Sequence, residues 1–231
     1  MELTPELSTF SVLLIGFMLG LQHAVEADHL AAVSTIVSEK KSLLTASLVG
    51  GLWGVGHTLS LFAVGILVIF LKLQISESNE AWLEAIVGAM LIALGINALR
   101  KLFTEKVHVH IHEHGEREHI HIHTHKAVVD TSHHGFSLRS VVIGMVHGLA
   151  GSAALMLLIV PTIPSSVVAL VYILVFGIGS IGGMMAMSFL IGLPIHFAAG
   201  RFSAINKAIR LAAGVFSFGL GMVIVYENLI A

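Results

Sequence analysis

The stretch Gln22-His23-Ala24-Val25-Glu26-Ala27-Asp28-His29 lies inside an otherwise apolar run from Leu7 to Val37. Four ionisable side chains there occupy seven consecutive positions of a segment long enough to cross a bilayer. A charged group at the bilayer centre costs about 2.5–3.5 kcal/mol on insertion scales, so such a cluster persists only with partners, water or an ion. The rest of the chain reads as a frame that supplies them.

Composition sets the class of that frame. Of 231 residues, 56% are apolar and 11% charged, which describes a polytopic membrane protein embedded in a lipid bilayer rather than a soluble domain. The chain has no cysteine, which removes disulfides and thiolate ligands together. Any metal must then be held by His, carboxylate, amide, Met or backbone groups. The anomaly is histidine: of 15, five lie in or beside apolar spans and ten lie in one polar loop. Basic residues are few and scattered, so nucleic acid is not an expected partner.

A bilayer-crossing helix needs about 20 apolar residues, and the hydropathy pattern predicts six. They run from Phe10 to Val37, Leu43 to Leu71, Trp82 to Phe103, Leu138 to Val160, Val167 to Phe197 and Ala208 to Leu229. The first, second and fifth are overlong and must tilt, protrude or break. Met1 to Ser8 carries Glu2 and Glu6 but no basic residue, so the first span reads as a retained helix rather than a signal peptide. Loops after spans one, three and five, with their flanks, hold eleven of the twelve Lys and Arg residues, leaving Lys72 alone on the other side. Basic residues favour cytoplasmic loops, which places both termini outside.

The two halves share a glycine pattern. Gly16 and Gly20 match Gly144 and Gly148, Gly54 and Gly56 match Gly177 and Gly179, and Gly88 and Gly95 match Gly214 and Gly221, at offsets of 128, 123 and 126 residues. Three spans per unit put the second unit upside down, so the expected fold is an all-α integral membrane protein with six transmembrane helices in a 3+3 inverted repeat. Residues 1–103 form the first unit and carry the polar motif, 104–137 are a cytoplasmic His-rich loop, and 138–231 form the second unit. Where the first unit has His23 and His57, the second has Gly151 and Ser180. The chemistry is therefore expected to belong to the first half.

On a continuous helix at about 100° per residue, Gln22, His23, Glu26 and His29 share an arc of about 120°, and Asp28 falls outside it. Either Asp28 orients a neighbouring ligand, or the helix is distorted so that all converge. The second span adds Gly56-His57-Thr58 at comparable depth, and its flanking glycines permit close helix approach. His23, Glu26, Asp28, His29 and His57 are the candidate metal residues. Gln22, Thr58, Asn97 and His147 are weaker candidates, for which a structural role is as good a reading. The loop alternates at period two, with His108, His110, His112 and His114 before Gly115 and His119, His121, His123 and His125 after it. Such alternation puts His on one face of an extended chain, and the glycine-containing middle allows a hairpin that captures metal or hands it to a cytoplasmic acceptor.

His23, four residues, then Asp28-His29 in one span, followed by Gly56-His57-Thr58 in the next, resembles the signature segments of the nickel/cobalt transporter family. His108 to His134 is similar to the His-rich loop of several members. The close resemblance covers the first two spans and the loop, about a third of the chain. The chain reads as lacking a helix before the signature helix, and its segment Gly144 to Ser152 lacks the acidic residues of larger members. It is thus similar to the shorter branch, the urease-accessory-type permeases. The resemblance implies a permease with Ni(II) or Co(II) as transported ion and no resident cofactor. Imidazole ligation agrees, with Zn(II) as an alternative, and displacement of protons from His makes uptake pH-dependent. No nucleotide-binding motif is present, so gradient, membrane potential or a partner must drive transport. Two other readings stay open: a metal or small-solute exporter on the same frame, and an intramembrane zinc hydrolase, against which the chain has no His-Glu-x-x-His motif.

Overall fold

The computed structural model describes residues 8–38, 40, 42–71, 77–104, 108–113, 118–123, 133–150, 160–163, 165–198 and 203–229. The helices are α1 (Thr9–His23), α2 (Ala27–Val37), α3 (Leu43–Leu71), α4 (Glu77–Thr104), α5 (His133–Ala150), α6 (Ser166–Ala198) and α7 (Ser203–Leu229). Strands β1 (His108–Glu113) and β2 (Glu118–His123) lie between α4 and α5, and one 3-10 turn, Val160–Thr162, precedes α6.

Most of α3, α4, α6 and α7 is long and apolar enough to cross a membrane, and α1 with α2 makes a fifth candidate bent by 53°. The apolar part of α5, Leu138–Leu149, is shorter. The chain is a multi-pass membrane protein. Its outer surface agrees: Phe10, Phe70, Trp82, Phe103, Val167, Ile178 and Phe197 are all exposed, a surface that only lipid tolerates. Only 22% of the most apolar part of α7 is buried within the protein, which leaves one face of that helix for lipid.

Each predicted span corresponds to helix, with differences at the ends. The third begins at Glu77 rather than Trp82, because Glu80 suits the positive end of a helix, which extends beyond its apolar part. The sixth begins at Ser203 and the fourth at His133; the expected end of the fourth at Val160 passes through 151–159, outside the described residues. The first is two helices rather than one. The second and fifth run unbroken for 29 and 33 residues, with Pro194 inside the last turn of α6.

Helix α3 is the central strut, packed on α5 along one side and α6 along the other, while α1 lies on α6 and α4 on α7. Small residues set the spacing. In lipid no hydrophobic force draws helices together, so contact depends on close packing and interhelical hydrogen bonds. A Cβ on Gly144 would collide with the Trp53 carbonyl, and one on Gly20 with the Phe176 carbonyl. Across α4 and α7, Gly88 faces Gly221 and Gly95 faces Gly214. Between those pairs the Ser217 hydroxyl donates to the Leu91 carbonyl at 2.9 Å. The Ser60 hydroxyl likewise donates to Met145 at 2.8 Å, tying α3 to α5. Two buried clusters fill the interior: one joins Ala31, Val33, Trp53, Leu91 and Met184, the other Leu61, Tyr172, Ile173 and Phe176.

The period-two loop is an antiparallel hairpin outside the helical part. Its register sets His108 opposite His123, His110 opposite His121 and His112 opposite His119. His114 and His125 lie outside the described residues.

Candidate metal site

The first span breaks at the polar stretch. Helix α1 ends at His23, Val25 and Glu26 close 3-10-type bonds to the Gln22 and His23 carbonyls, and α2 restarts at Ala27. Glu26 has extended backbone angles, φ −64° and ψ 151°, and turns the chain. The break exposes the N-terminal amides of α2, which have no partner within the helix. Asp28 accepts from one of them, the His29 N–H, at 2.8 Å, and a carboxylate suits the positive end of a helix. The distortion therefore rotates Asp28 away from where a continuous helix would hold it.

Four imidazoles converge at the break: His23 ends α1, His29 opens α2, His57 comes from the middle of α3 and His147 from α5. His29, His57 and His147 are wholly buried and His23 is 1% exposed. Ring centroids lie 4.3 Å apart for His23 and His29, 5.1 Å for His23 and His57, and 4.1 Å for His29 and His147. His23 Nε2 and His57 Nε2 are 3.2 Å apart, so one of those nitrogens carries a proton that the other accepts. Two overlapping triads have ligand atoms within 4.8 Å of one another: His23, His29 and His57, and Asp28, His29 and His147.

The carboxylates sit behind the imidazoles. One Asp28 oxygen is 3.0 Å from His29 Nδ1 and the other 3.0 Å from His147 Nε2. Glu26 Oε2 lies 2.9 Å from His23 Nδ1, a charge contact rather than an aligned hydrogen bond. Among the described residues, His29 Nε2 and His147 Nδ1 have no hydrogen-bond partner despite complete burial. A buried polar atom left alone costs about 1–3 kcal/mol. An imidazole with one nitrogen held by carboxylate and the other free is the usual arrangement of a metal-binding histidine.

Several sequence expectations change at this point. The site is not confined to the first half, because α5 contributes His147, fully buried and bonded to Asp28. A polar residue is placed by tertiary contact, and the mismatch at His57 and Ser180 says nothing about neighbouring positions. Gln22 shares the helical arc of His23 but is exposed, since the arc ends with α1. Asn97 lies away from the imidazoles, beside a cavity of about 30 Å³ that Thr35, Lys40, Arg139 and Ser140 also line. His196 sits near the end of α6, exposed, with Phe197 as its ring neighbour. Trp53 carries no weight in the sequence reading, yet it stacks on His29 at 5.4 Å and meets His147 edge to face. It stands one turn before His57, and that spacing is the signal that would have flagged it.

Thr58 is a packing residue. Its hydroxyl donates to the Gly54 carbonyl at 2.8 Å and lies 3.3 Å from the Gly177 carbonyl, across the seam with α6. Thr58→Val keeps the shape and loses only the hydroxyl. We expect a stability loss of about 0.6 kcal/mol, the average for such bonds in membranes, with metal binding unchanged. Thermal unfolding in detergent and metal titration check the two halves of that statement.

Comparison with known proteins places the chain among transport and accessory proteins. It is 38% identical over 222 residues to the urease accessory protein UreH of Bacillus sp. (strain TB-90), covering 93% of this chain and 91% of that protein. It is 27% identical over 215 residues to the chloroplast protein FOR GROWTH AND FERTILITY 2 of Arabidopsis thaliana, covering 92% of this chain but 55% of the plant protein. A shorter match, 29% over 89 residues, links 37% of this chain to 25% of the high-affinity nickel transport protein of Cupriavidus necator. No protein-family model and no solved structure matches the chain. With full-length similarity to UreH and the signature His23, Asp28-His29 and Gly56-His57-Thr58 intact, the chain belongs to the nickel/cobalt permease family, in the branch of the urease accessory protein UreH.

Proposed function

We propose that this protein is a permease that carries nickel or cobalt ions into the cytoplasm across the cell (inner) membrane. The observation that carries the reading is the convergence of four buried imidazoles from four helices, two of which have a nitrogen with no hydrogen-bond partner among the described residues. His23, His29, His57 and His147 take the ion as substrate. Asp28 orients His29 and His147, and Glu26 orients His23. The carboxylates also offset the charge of a divalent ion passing through hydrocarbon. Imidazole donors fit nickel, cobalt or zinc far better than magnesium or calcium. An exporter on the same frame, or a zinc hydrolase, would use the same ligands; similarity to a nickel transport protein favours transport.

The frame is read as six spans in a 3+3 inverted repeat with both termini outside, units 1–103 and 138–231, joined by the cytoplasmic loop 104–137. Reciprocal contacts support it. Gly88 and Gly95 match Gly214 and Gly221 by sequence, and in space Gly88 meets Gly221 while Gly95 meets Gly214, as a two-fold axis requires. The seam of α1 on α6 is likewise mirrored by that of α5 on α3. The polar break then lies where the two units meet, as in other transporters with discontinuous helices. The opposed histidines of the β1–β2 hairpin suit metal capture on the inner side and delivery to a cytoplasmic acceptor.

Reconstitution in vesicles of known orientation, with a metal-sensitive dye inside, tests the function. Nickel or cobalt added outside is expected to change the dye signal saturably and faster with the interior negative. An inside-negative potential supplies about 2.3 kcal/mol per charge per 100 mV, doubled for a divalent ion. A flat dye trace from correctly inserted protein refutes metal permeation; movement only in the opposite direction makes it an exporter.

A further inference from the structure

The imidazoles are buried, so an ion needs a path to them. A partly open cavity of about 290 Å³ borders the break, and Glu26, Asp28, Glu84, Val87, Leu220 and Ile224 line it. It holds three carboxylates from two elements of the chain and, among the described residues, no Lys or Arg. Asp28 in its wall joins His29 and His147, whose remaining nitrogens are buried without a partner among the described residues. The space therefore reaches the carboxylate that holds two of the imidazoles, which a chance surface dent would not.

Its place along the helices is equally specific. Glu84 is seven residues into α4 and Ile224 five residues from the end of α7, depths of roughly 10 Å and 8 Å at about 1.5 Å per residue. Both helix ends are outward in the proposed topology. On the inward side the cavity beside Lys40, Arg139 and Asn97 is far smaller, about 30 Å³. Six waters of a hydrated divalent ion take roughly 180 Å³, which the outer cavity accommodates.

We infer that this cavity is the outer vestibule of the ion path, and that Glu84 recruits the hydrated divalent cation and passes it to Glu26 and Asp28. The inference rests on the permease reading for its direction. A carboxylate at a low-dielectric mouth concentrates cations by one to three orders of magnitude, an effect that salt screens. Glu84 therefore sets how readily an ion enters, while the imidazoles set how it is held.

Because the chain has no cysteine, a single introduced thiol reports access without further changes. In intact cells, a membrane-impermeant thiol reagent is expected to label Glu84→Cys and Leu220→Cys but not Asn97→Cys, with Ser78→Cys at the exposed start of α4 as the positive control. Co(II) added first is expected to slow labelling at position 84 about fivefold. Glu84→Gln is expected to raise the half-saturating metal concentration about three- to tenfold at unchanged maximal rate, a difference that shrinks in about 0.5 M salt, and Glu84→Asp restores it. Failure to label Glu84→Cys while Ser78→Cys labels overturns the vestibule, as does an unchanged half-saturation in Glu84→Gln. If the wild type moves no metal while labelling and its slowing by Co(II) persist, the permease reading fails and the cation vestibule stands.

Discussion

Replacing His147 by alanine is expected to abolish metal accumulation as completely as replacing His23, His29 or His57. His147 lies in the other half of the chain, 119 residues from Asp28, yet their side chains are 3.0 Å apart. Its removal takes away one imidazole and leaves one Asp28 oxygen without the imidazole that holds it, so His29 loses its fixed orientation as well. Losing a partner that orients a metal ligand costs about 10–100-fold in affinity, and losing a ligand with it should exceed 100-fold. Asp28→Asn, which keeps the shape, is expected to fall within the smaller range. Ser180→Ala provides the contrast: Ser180 matches His57 in the second half and is buried, but among the described residues its hydroxyl makes no hydrogen bond, so uptake should stay near wild type. Metal accumulation in cells, normalised to membrane level, reads all three. Full accumulation in His147→Ala would falsify the four-imidazole site.

The second large effect concerns the seam that sets the spacing of the imidazoles. A Cβ on Gly148 would lie 2.5 Å from the His57 carbonyl oxygen and 2.9 Å from its Cα. Both are backbone atoms of α3 and cannot turn aside, so Gly148→Val must push α5 and α3 apart. Overpacking of this kind costs about 1–3 kcal/mol or more, which for a chain of this size lowers Tm by roughly 3–10 °C. His57 and His147 sit on the two helices being separated, so metal affinity should fall alongside. Gly182 and Gly219 have nothing within 4 Å of an added Cβ, and Gly182→Ala or Gly219→Ala should melt at or slightly above the wild-type temperature. Thermal unfolding in detergent separates the two groups. Equal melting of Gly148→Val and Gly182→Ala would contradict the backbone contact at that seam.

Much of the frame is legible in the sequence because apolar length is a direct physical requirement of a bilayer. The candidate site is legible in part for a related reason: ionisable groups in an apolar run are too costly to be incidental. His23, Asp28, His29 and His57 stand out on that ground, and the structure gathers them. The break is not legible, because Ala24-Val25-Glu26 contains neither proline nor glycine. It is made by tertiary contact: Ala24 is buried against Gly183 of α6, whose added Cβ would lie 2.6 Å from the Ala24 Cβ. Wheel geometry therefore groups Gln22 with His23, whereas the folded chain turns Gln22 outward and brings Asp28 in. His147 is visible as a residue but not as a partner, since no local pattern spans 119 positions. Trp53 and Glu84 are camouflaged, one as an aromatic in an apolar span and the other as an acid near a polar helix end.

The break between α1 and α2 also dictates the order in which the protein can be completed. Residues 8–38 leave the ribosome before α3 to α7, carrying a turn of irregular backbone and two carboxylates that hydrocarbon does not accept unshielded. The groups that shield them, His57 on α3, His147 on α5 and Gly183 on α6, are synthesised later, the last of them about 160 residues after Ala24. Insertion of the first segment is therefore provisional. It can settle only when the second half has entered the membrane and closed around it, so a span made before its partners is among the last to be finished.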